Sequence, residues 1–441
     1  MNSQLLFYRT VAGCTRRSLF TSRLRLVGFC LLFSFLFAQA QQQQPYATRS
    51  FVDRIRTIQC FPEGNPLAPP MIALGGPERL IIAFDELLPD ASYFNYKLIH
   101  CNADWRQSAL SELEYLDGFN VNPIDTYEFS QSTFTNYVHY SLSIPNENVR
   151  PLVSGNYVLQ VFPENEPDRI LMQVCFSIYE SLVSMGMEVS SRTDIDYNAS
   201  HQQVGVTVNA PNYTISNPYQ ELKLIVTQNG RRDNQATVVQ PLSAQGSSIQ
   251  YQHLRSLIFE AGNEYRRFED TNIRYAGMGV QNIQFFDPYY NVTLFTGMPR
   301  KNSGYSYDQT QYGGYIIRES NAENSDIEAD YFIVHFSLED TPFADGRVFI
   351  NGDLTLNLFN EDNEMFYNAQ ERKYEKALLL KQGAYNYQYL YLPNGRSQAR
   401  TGAIEGNYYQ TVNEYLARLY HRPQGGRYDR LIGVGMVYSG R

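Results

Sequence analysis

Alternation with a period of two most constrains what this chain can fold into. Within 137–144, Val138, Tyr140, Leu142 and Ile144 share one face. Val204, Val206 and Val208 alternate with Gly205, Thr207 and Asn209, and Phe332, Val334, Phe336 and Leu338 repeat the pattern. Strand side chains point to opposite faces in turn, so such runs read as half-buried strands. Helical periodicity is weak throughout, apart from a short turn expected within 110–119. With 441 residues the chain has room for two or three domains, and it reads as all-β. The 35 tyrosines against one tryptophan fit that reading, because tyrosine favours strands and gives a half-buried face a polar tip.

The strands group into three regions. In 92–99, Tyr93, Asn95, Lys97 and Ile99 would point one way, and Phe94, Tyr96, Leu98 and His100 the other. Segment 79–85 has little polar interruption and reads as a central strand, while 156–162 and 169–179 read as a hairpin. Six or seven such strands predict a fibronectin- or immunoglobulin-like sandwich over 51–180, after a disordered polar start at 41–50. A second β region is expected over 181–315, with Asn229-Gly230 as a hairpin turn. Its Gly/Tyr-rich stretch 297–314, carrying Tyr305, Tyr307 and Tyr312, reads as a linker or a long loop. A third region is expected over 316–441, with strands 374–380 and 384–392 paired around Lys381-Gln382-Gly383. This last region resembles the early-set sandwich of glycogen-binding modules. The expected fold class is thus tandem β-sandwiches.

The start of the chain reads as an address. Residues 1–40 combine Arg16, Arg17, Arg23 and Arg25 with an apolar run at 26–37 and the small-x-small site Ala38-Gln39-Ala40, which fits a signal peptide. Cys30 follows Phe29 and not a small residue, which argues against a lipid anchor. Segment 1–40 holds five arginines and no acid, so its removal takes the net charge from −9 to −14. An acidic exported chain is a poor partner for nucleic acid or anionic lipid, both of which attract a Lys/Arg surplus. Cys60, Cys101 and Cys175 remain; an odd number favours buried thiols, with a Cys60–Cys101 bridge as the alternative.

Chemistry-bearing patterns are sparse. The six histidines, His100, His139, His201, His253, His335 and His421, lie in no metal-ligand spacing, and there is no Cys-x-x-Cys, Gly-x-Ser-x-Gly or phosphate-binding loop. No cofactor, metal or catalytic residue is expected. The adjacent acids Asp85/Glu86, Asp194/Asp196 and Glu361/Asp362/Glu364 would serve a glycosidase only if two faced each other across a cleft. A sharper alternative is the row Tyr385, Tyr387, Tyr389 and Tyr391 on one strand face, which would suit sugar stacking if exposed and a core lining if buried.

The only tryptophan closes the sequence His100-Cys101-Asn102-Ala103-Asp104-Trp105. With Ser108, Tyr115-Leu116-Asp117-Gly118-Phe119, Tyr137-Val138-His139-Tyr140, Ile144-Pro145-Asn146 and Ser154-Gly155-Asn156-Tyr157, it resembles the plug-protein family of the type IX secretion system. The resemblance covers 54–180 well and the remainder more loosely. It implies an exported, non-enzymatic periplasmic protein that closes the inner end of a giant outer-membrane translocon barrel. His100, Cys101, Asp104 and Trp105 are assigned a structural role, capping and orienting the first domain. Tyr305, Tyr307 and Tyr312 are the candidate partner contacts, since tyrosine offers contact area at low entropic cost.

Overall fold

The structure is a computed structural model that describes residues 44–440. The expected signal peptide at 1–40 lies outside the described residues. Among the described residues the regular structure is mainly strand, arranged as β-sandwiches. Its helices are single turns, such as Glu112–Tyr115, closed by a capping box between Ser111 and Glu114.

In the N-terminal sandwich, Leu80–Glu86 pairs with Ile55–Pro62 on one side and Val138–Ile144 on the other. The facing sheet is centred on Gly155–Pro163, between Phe94–Cys101 and Met172–Tyr179. Phe94, Tyr96 and Leu98 point into the core, as their alternation requires, and meet Leu80, Ile82 and Phe84 from the other sheet. Phe84 stacks on Tyr140 at 5.1 Å, while Phe94 meets Tyr140 edge-on at 5.0 Å, two arrangements that suit the ring quadrupole.

The polar start expected at 41–50 is ordered over its last residues. The Tyr46 N–H donates to the Trp105 carbonyl at 3.0 Å, and Arg49–Ser50 adds a strand to Met172–Tyr179. Backbone pairing recruits these residues, which composition alone does not reveal.

The middle and third sandwiches correct the boundary expected at 315/316. In the middle sandwich, Leu222–Gln228 lies between Ala236–Val238 and Glu414–His421, and Arg430–Tyr438 follows. Its other sheet carries Ser184–Ser190, His201–Asn209, Ser248–Tyr251 and Ile258–Glu260. The last two strands of the chain therefore return to complete a core begun at Val204, Val206 and Val208.

The third sandwich is inserted between Ile258–Glu260 and Glu414–His421. It starts at Arg266–Glu269, and its core joins Phe268, Val280 and Val292 to Phe332, Val334 and Tyr389. Turn signals mark where a strand ends. They do not say which distant strand completes its ladder.

A second correction falls at Lys381-Gln382-Gly383. Lys373–Lys381 and Gly383–Pro393 do not pair with each other. The first pairs with Tyr331–Leu338 and the second with Gly346–Asn351. The chain changes sheets at buried Gln382, whose amide accepts from Asp330 N–H at 2.9 Å and donates to the Asp270 carbonyl at 3.3 Å. Glu364–Asn368 bridges the two layers, because Met365 pairs with Val348 and Phe366 with Glu375.

Candidate partner-binding surface

The His100–Trp105 motif sits at the joint between the N-terminal and middle sandwiches. Asn102 Oδ1 accepts from the Arg422 guanidinium at 2.8 Å and from the Asp429 N–H at 3.1 Å. Ala103 N–H donates to Asp429 Oδ2 at 3.0 Å, and Ala103 packs with Ile225, Tyr420 and Leu431. Trp105 is buried with Cys101, Val158 and Cys175, and the Arg232 guanidinium from the middle sandwich lies 3.9 Å from its ring centre. Its φ of 61° turns the chain off the strand at a backbone setting that side chains rarely adopt. Asp104 is exposed and pairs with Arg106 at 2.9 Å. Cys60, Cys101 and Cys175 are all free thiols, so the alternative Cys60–Cys101 bridge is absent.

His100 is fully buried beneath this joint. Its Nε2 meets the Ser154 carbonyl at 3.2 Å and its Nδ1 meets the Ser108 hydroxyl at 2.8 Å. A carbonyl only accepts, so Nε2 carries the proton and Nδ1 accepts from Ser108. Burial pushes its pKa down to about 4, which keeps the ring neutral. Gly155, at φ 144°, lies against the ring; a Cβ there would stand 2.4 Å from Nε2.

A second polar joint ties the N-terminal sandwich to the third. Asp85 Oδ2 accepts from Lys381 Nζ at 2.6 Å and from the Tyr331 hydroxyl at 2.7 Å, and Oδ1 meets His139 Nδ1 at 2.7 Å. Burial works against the Asp85 charge, but Lys381 and His139 outweigh it and hold the carboxyl below its ordinary range. Asp330 accepts from the Phe134 and Thr135 N–H groups at 2.7 and 3.0 Å, pinning that loop to the third sandwich.

The tyrosine row is core lining. Tyr385, Tyr387, Tyr389 and Tyr391 are all buried, and Tyr389 is wholly inaccessible. Tyr385 stacks between Phe268 at 5.0 Å and Tyr315 at 5.1 Å. These rings cannot receive a sugar, so the glycan-binding alternative drawn from this face is corrected. The strand is covered on that side by the opposing sheet of its own sandwich, which its sequence alternation does not disclose.

The 297–314 segment is a strap held against the body. Arg300 pairs with buried Glu405 at 2.7 Å, Asp308 with Arg267 at 2.7 Å, and the Tyr305 hydroxyl donates to Glu264 at 2.8 Å. Tyr312 packs on Tyr438 with ring centres 5.1 Å apart. Of the three candidate tyrosines only Tyr307 is strongly exposed, at 65%.

Each histidine has a polar neighbour that accounts for it. His201 Nδ1 meets Asp196 at 2.7 Å and Ser200 at 2.9 Å; serine and carboxylate share one ring nitrogen, which is not the relay of a nucleophilic triad. His335 meets Asn291 at 2.7 Å, and His421 lies between Tyr213 and Glu221. Asp85 faces Lys381 while its neighbour Glu86 pairs with Arg54. No group of three or more potential ligands for a metal occurs among the described residues.

The most distinctive surface is the hairpin of Val280–Phe286 and Tyr289–Leu294. From 275 to 299 the only charged residue is Asp287. Phe285 and Phe286 are 42% and 56% exposed, and Phe134, reaching over from the N-terminal sandwich, is 58% exposed. Phe134, Phe285 and Tyr290 contact one another with ring centres 5.0–5.4 Å apart. Two sandwiches thus contribute to one exposed aromatic ridge. Aromatic enrichment with charge depletion is the compositional mark of an interface centre. The signal is visible in the sequence as a charge-poor run containing Phe-Phe-Asp-Pro-Tyr-Tyr, but strand alternation hides it, because buried strands look the same.

Fold and surface define an all-β scaffold of interlocked sandwiches with an exposed uncharged ridge. Residues 55–180 match the family model described as "Type 9 secretion system plug protein 1st domain". Among solved structures, the crystal structure of a hypothetical protein from Parabacteroides merdae ATCC 43184 is similar. It is 48% identical, with a TM-score of 0.89, over 90% of this chain and 100% of that one. No curated protein matches. The N-terminal sandwich therefore belongs to the type IX secretion system plug protein family, through that family's first domain.

Proposed function

We propose that this protein is a non-enzymatic plug that binds and closes the periplasmic end of the outer-membrane translocon barrel of the type IX secretion system. The family match across the N-terminal sandwich carries this reading. A barrel wide enough to pass folded cargo leaks unless something blocks it. The blocking body must be rigid, and here two joints tie the sandwiches together through paired polar groups such as Asp85–Lys381 and Asn102–Arg422. It must also present a surface that loses little by leaving water, and the uncharged ridge of Phe134, Phe285 and Tyr290 supports that role. The arginine-rich segment at 1–40 supports export to the periplasm.

The test is affinity purification of the tagged mature protein from native outer membranes. A very large barrel protein is expected to accompany the wild type. Phe134→Ser with Phe285→Ser is expected to lower its recovery about tenfold, equivalent to about 1.4 kcal/mol of binding. Recovery of the wild-type protein free in the periplasm, with no barrel attached, would overturn the proposal.

A further inference from the structure

Val280–Phe286 is the outermost strand of its sheet. It pairs with Tyr289–Leu294 and, among the described residues, with no strand on its other side. The main-chain N–H and C=O groups of such an edge are a template for another strand, and natural proteins blunt long edges with charge, proline or cover.

The remaining edges here are blunted. Ile55–Pro62 carries Arg56, Pro62 and a break in register. Ser184–Ser190 carries Glu188, and Arg266–Glu269 carries charge at three of its four positions. Arg430–Tyr438 begins with an arginine, and its Leu431 and Ile432 carbonyls accept from Glu180 and Leu182 N–H groups. The other sheet edges, such as Arg49–Ser50, Asn122–Pro123 and Tyr127–Phe129, are only two or three residues long.

Val280–Phe286 has seven residues, no charge and no proline, with one register break at its start between Val280 and Asn282. Both of its faces are largely open to solvent. Asn282, Gln284 and Phe286 lie on one face, and Ile283 and Phe285 on the other. An unprotected edge of this length in a chain that blunts its other edges points to a use for it.

We propose that Val280–Phe286 accepts an extended, uncharged segment of the outer-membrane partner as an added β-strand, so that main-chain hydrogen bonds make the seal. The charge pattern selects the occupant. The strand itself carries no charge, although Lys373, Glu375 and Lys376 line the depression beside its amide face, and an alternating apolar/polar segment finds Ile283 and Phe285 on one face and the Asn282 and Gln284 amides on the other. The inference rests on the plug reading.

The experiment compares amide hydrogen exchange over 280–286 in the free full chain and in its complex with the detergent-solubilised barrel. The variant Asn282→Lys/Gln284→Lys, which puts lysine at two exposed edge positions, runs alongside. Strand addition is expected to slow exchange of the outward amides at least about tenfold, and the variant is expected to melt as the wild type does while recovering about one tenth of the barrel. If the barrel binds and 280–286 exchanges as in the free chain, the inference fails and the plug reading stands. If the wild type recovers no barrel, both fall. A dimer that the lysine variant dissociates, with no barrel bound, would assign this edge to a second copy of the chain and overturn the inference.

Discussion

Lys381 Nζ lies 2.6 Å from Asp85 Oδ2, and this buried ion pair joins the third sandwich to the N-terminal one. Both side chains are almost fully removed from water, so neither charge is tolerable without the other. The pair is completed by the Tyr331 hydroxyl and by His139, and the ammonium also lies 4.1 Å from the Tyr137 ring centre. Such a joint specifies one docking geometry, because a shifted interface would strand the charges.

Lys381→Met is therefore expected to cost about 3–5 kcal/mol in urea unfolding, the usual penalty for orphaning a buried charge. Asp85→Asn added to it should restore most of that loss, since no ion then remains to be paired. Equal stability of Lys381→Met and wild type would show that the joint does not depend on the pair.

His100 makes stability depend on pH. Its pKa is 6.5 as a free side chain and about 4 in the fold, because burial disfavours the imidazolium. A depressed folded pKa means the unfolded chain binds the proton more tightly. The contribution is thus intact above pH 6.5 and is lost as pH falls toward 4, by about 3 kcal/mol in all. Chemical unfolding of the wild type between pH 7 and 4 should show that slope, and His100→Gln should flatten it.

Trp105→Ala is expected to destabilise the protein by about 3–5 kcal/mol, typical of emptying a buried aromatic site. Arg232→Ala should cost less, about 0.5–2 kcal/mol, because it removes a cation–π contact and leaves the ring packed on Cys101, Val158 and Cys175. A melting curve unchanged in Trp105→Ala would refute the packing of this joint.

Tyr389→Ala should lower the melting temperature through loss of a wholly buried ring, at about 3–5 kcal/mol. Tyr389→Phe should cost about 1 kcal/mol, because it keeps the ring and loses the hydroxyl, which bonds the Ser337 carbonyl and Tyr387. A Tyr389→Ala protein that melts like the wild type would contradict the core role of the row.

Much of the secondary structure was legible because alternation is a local property. Phe94, Tyr96 and Leu98 had to face one way whatever packed on them, and the all-β class followed from many such runs. The same locality limited the reading of the candidate sites. Tyr385, Tyr387, Tyr389 and Tyr391 alternate along one strand, yet a row alternates identically whether it lines a core or faces water. The charge-poor run 275–299 is present in the sequence, but only its exposure distinguishes the ridge from another buried hairpin.

The sequence by itself determined where most of the longer strands lie, how they alternate, and that the first sandwich belongs to the plug family. Tertiary structure decided which strands share a sheet. Leu222–Gln228 pairs with Glu414–His421, and a whole sandwich lies between them in the chain. It also decided that Asp85 meets Lys381, that Asn102 meets Arg422 and Asp429, and that Phe134 meets Phe285. The physical reason is one of range. Backbone sterics and side-chain alternation act between chain neighbours, whereas pairing, burial and charge compensation act between groups that only the folded chain brings together.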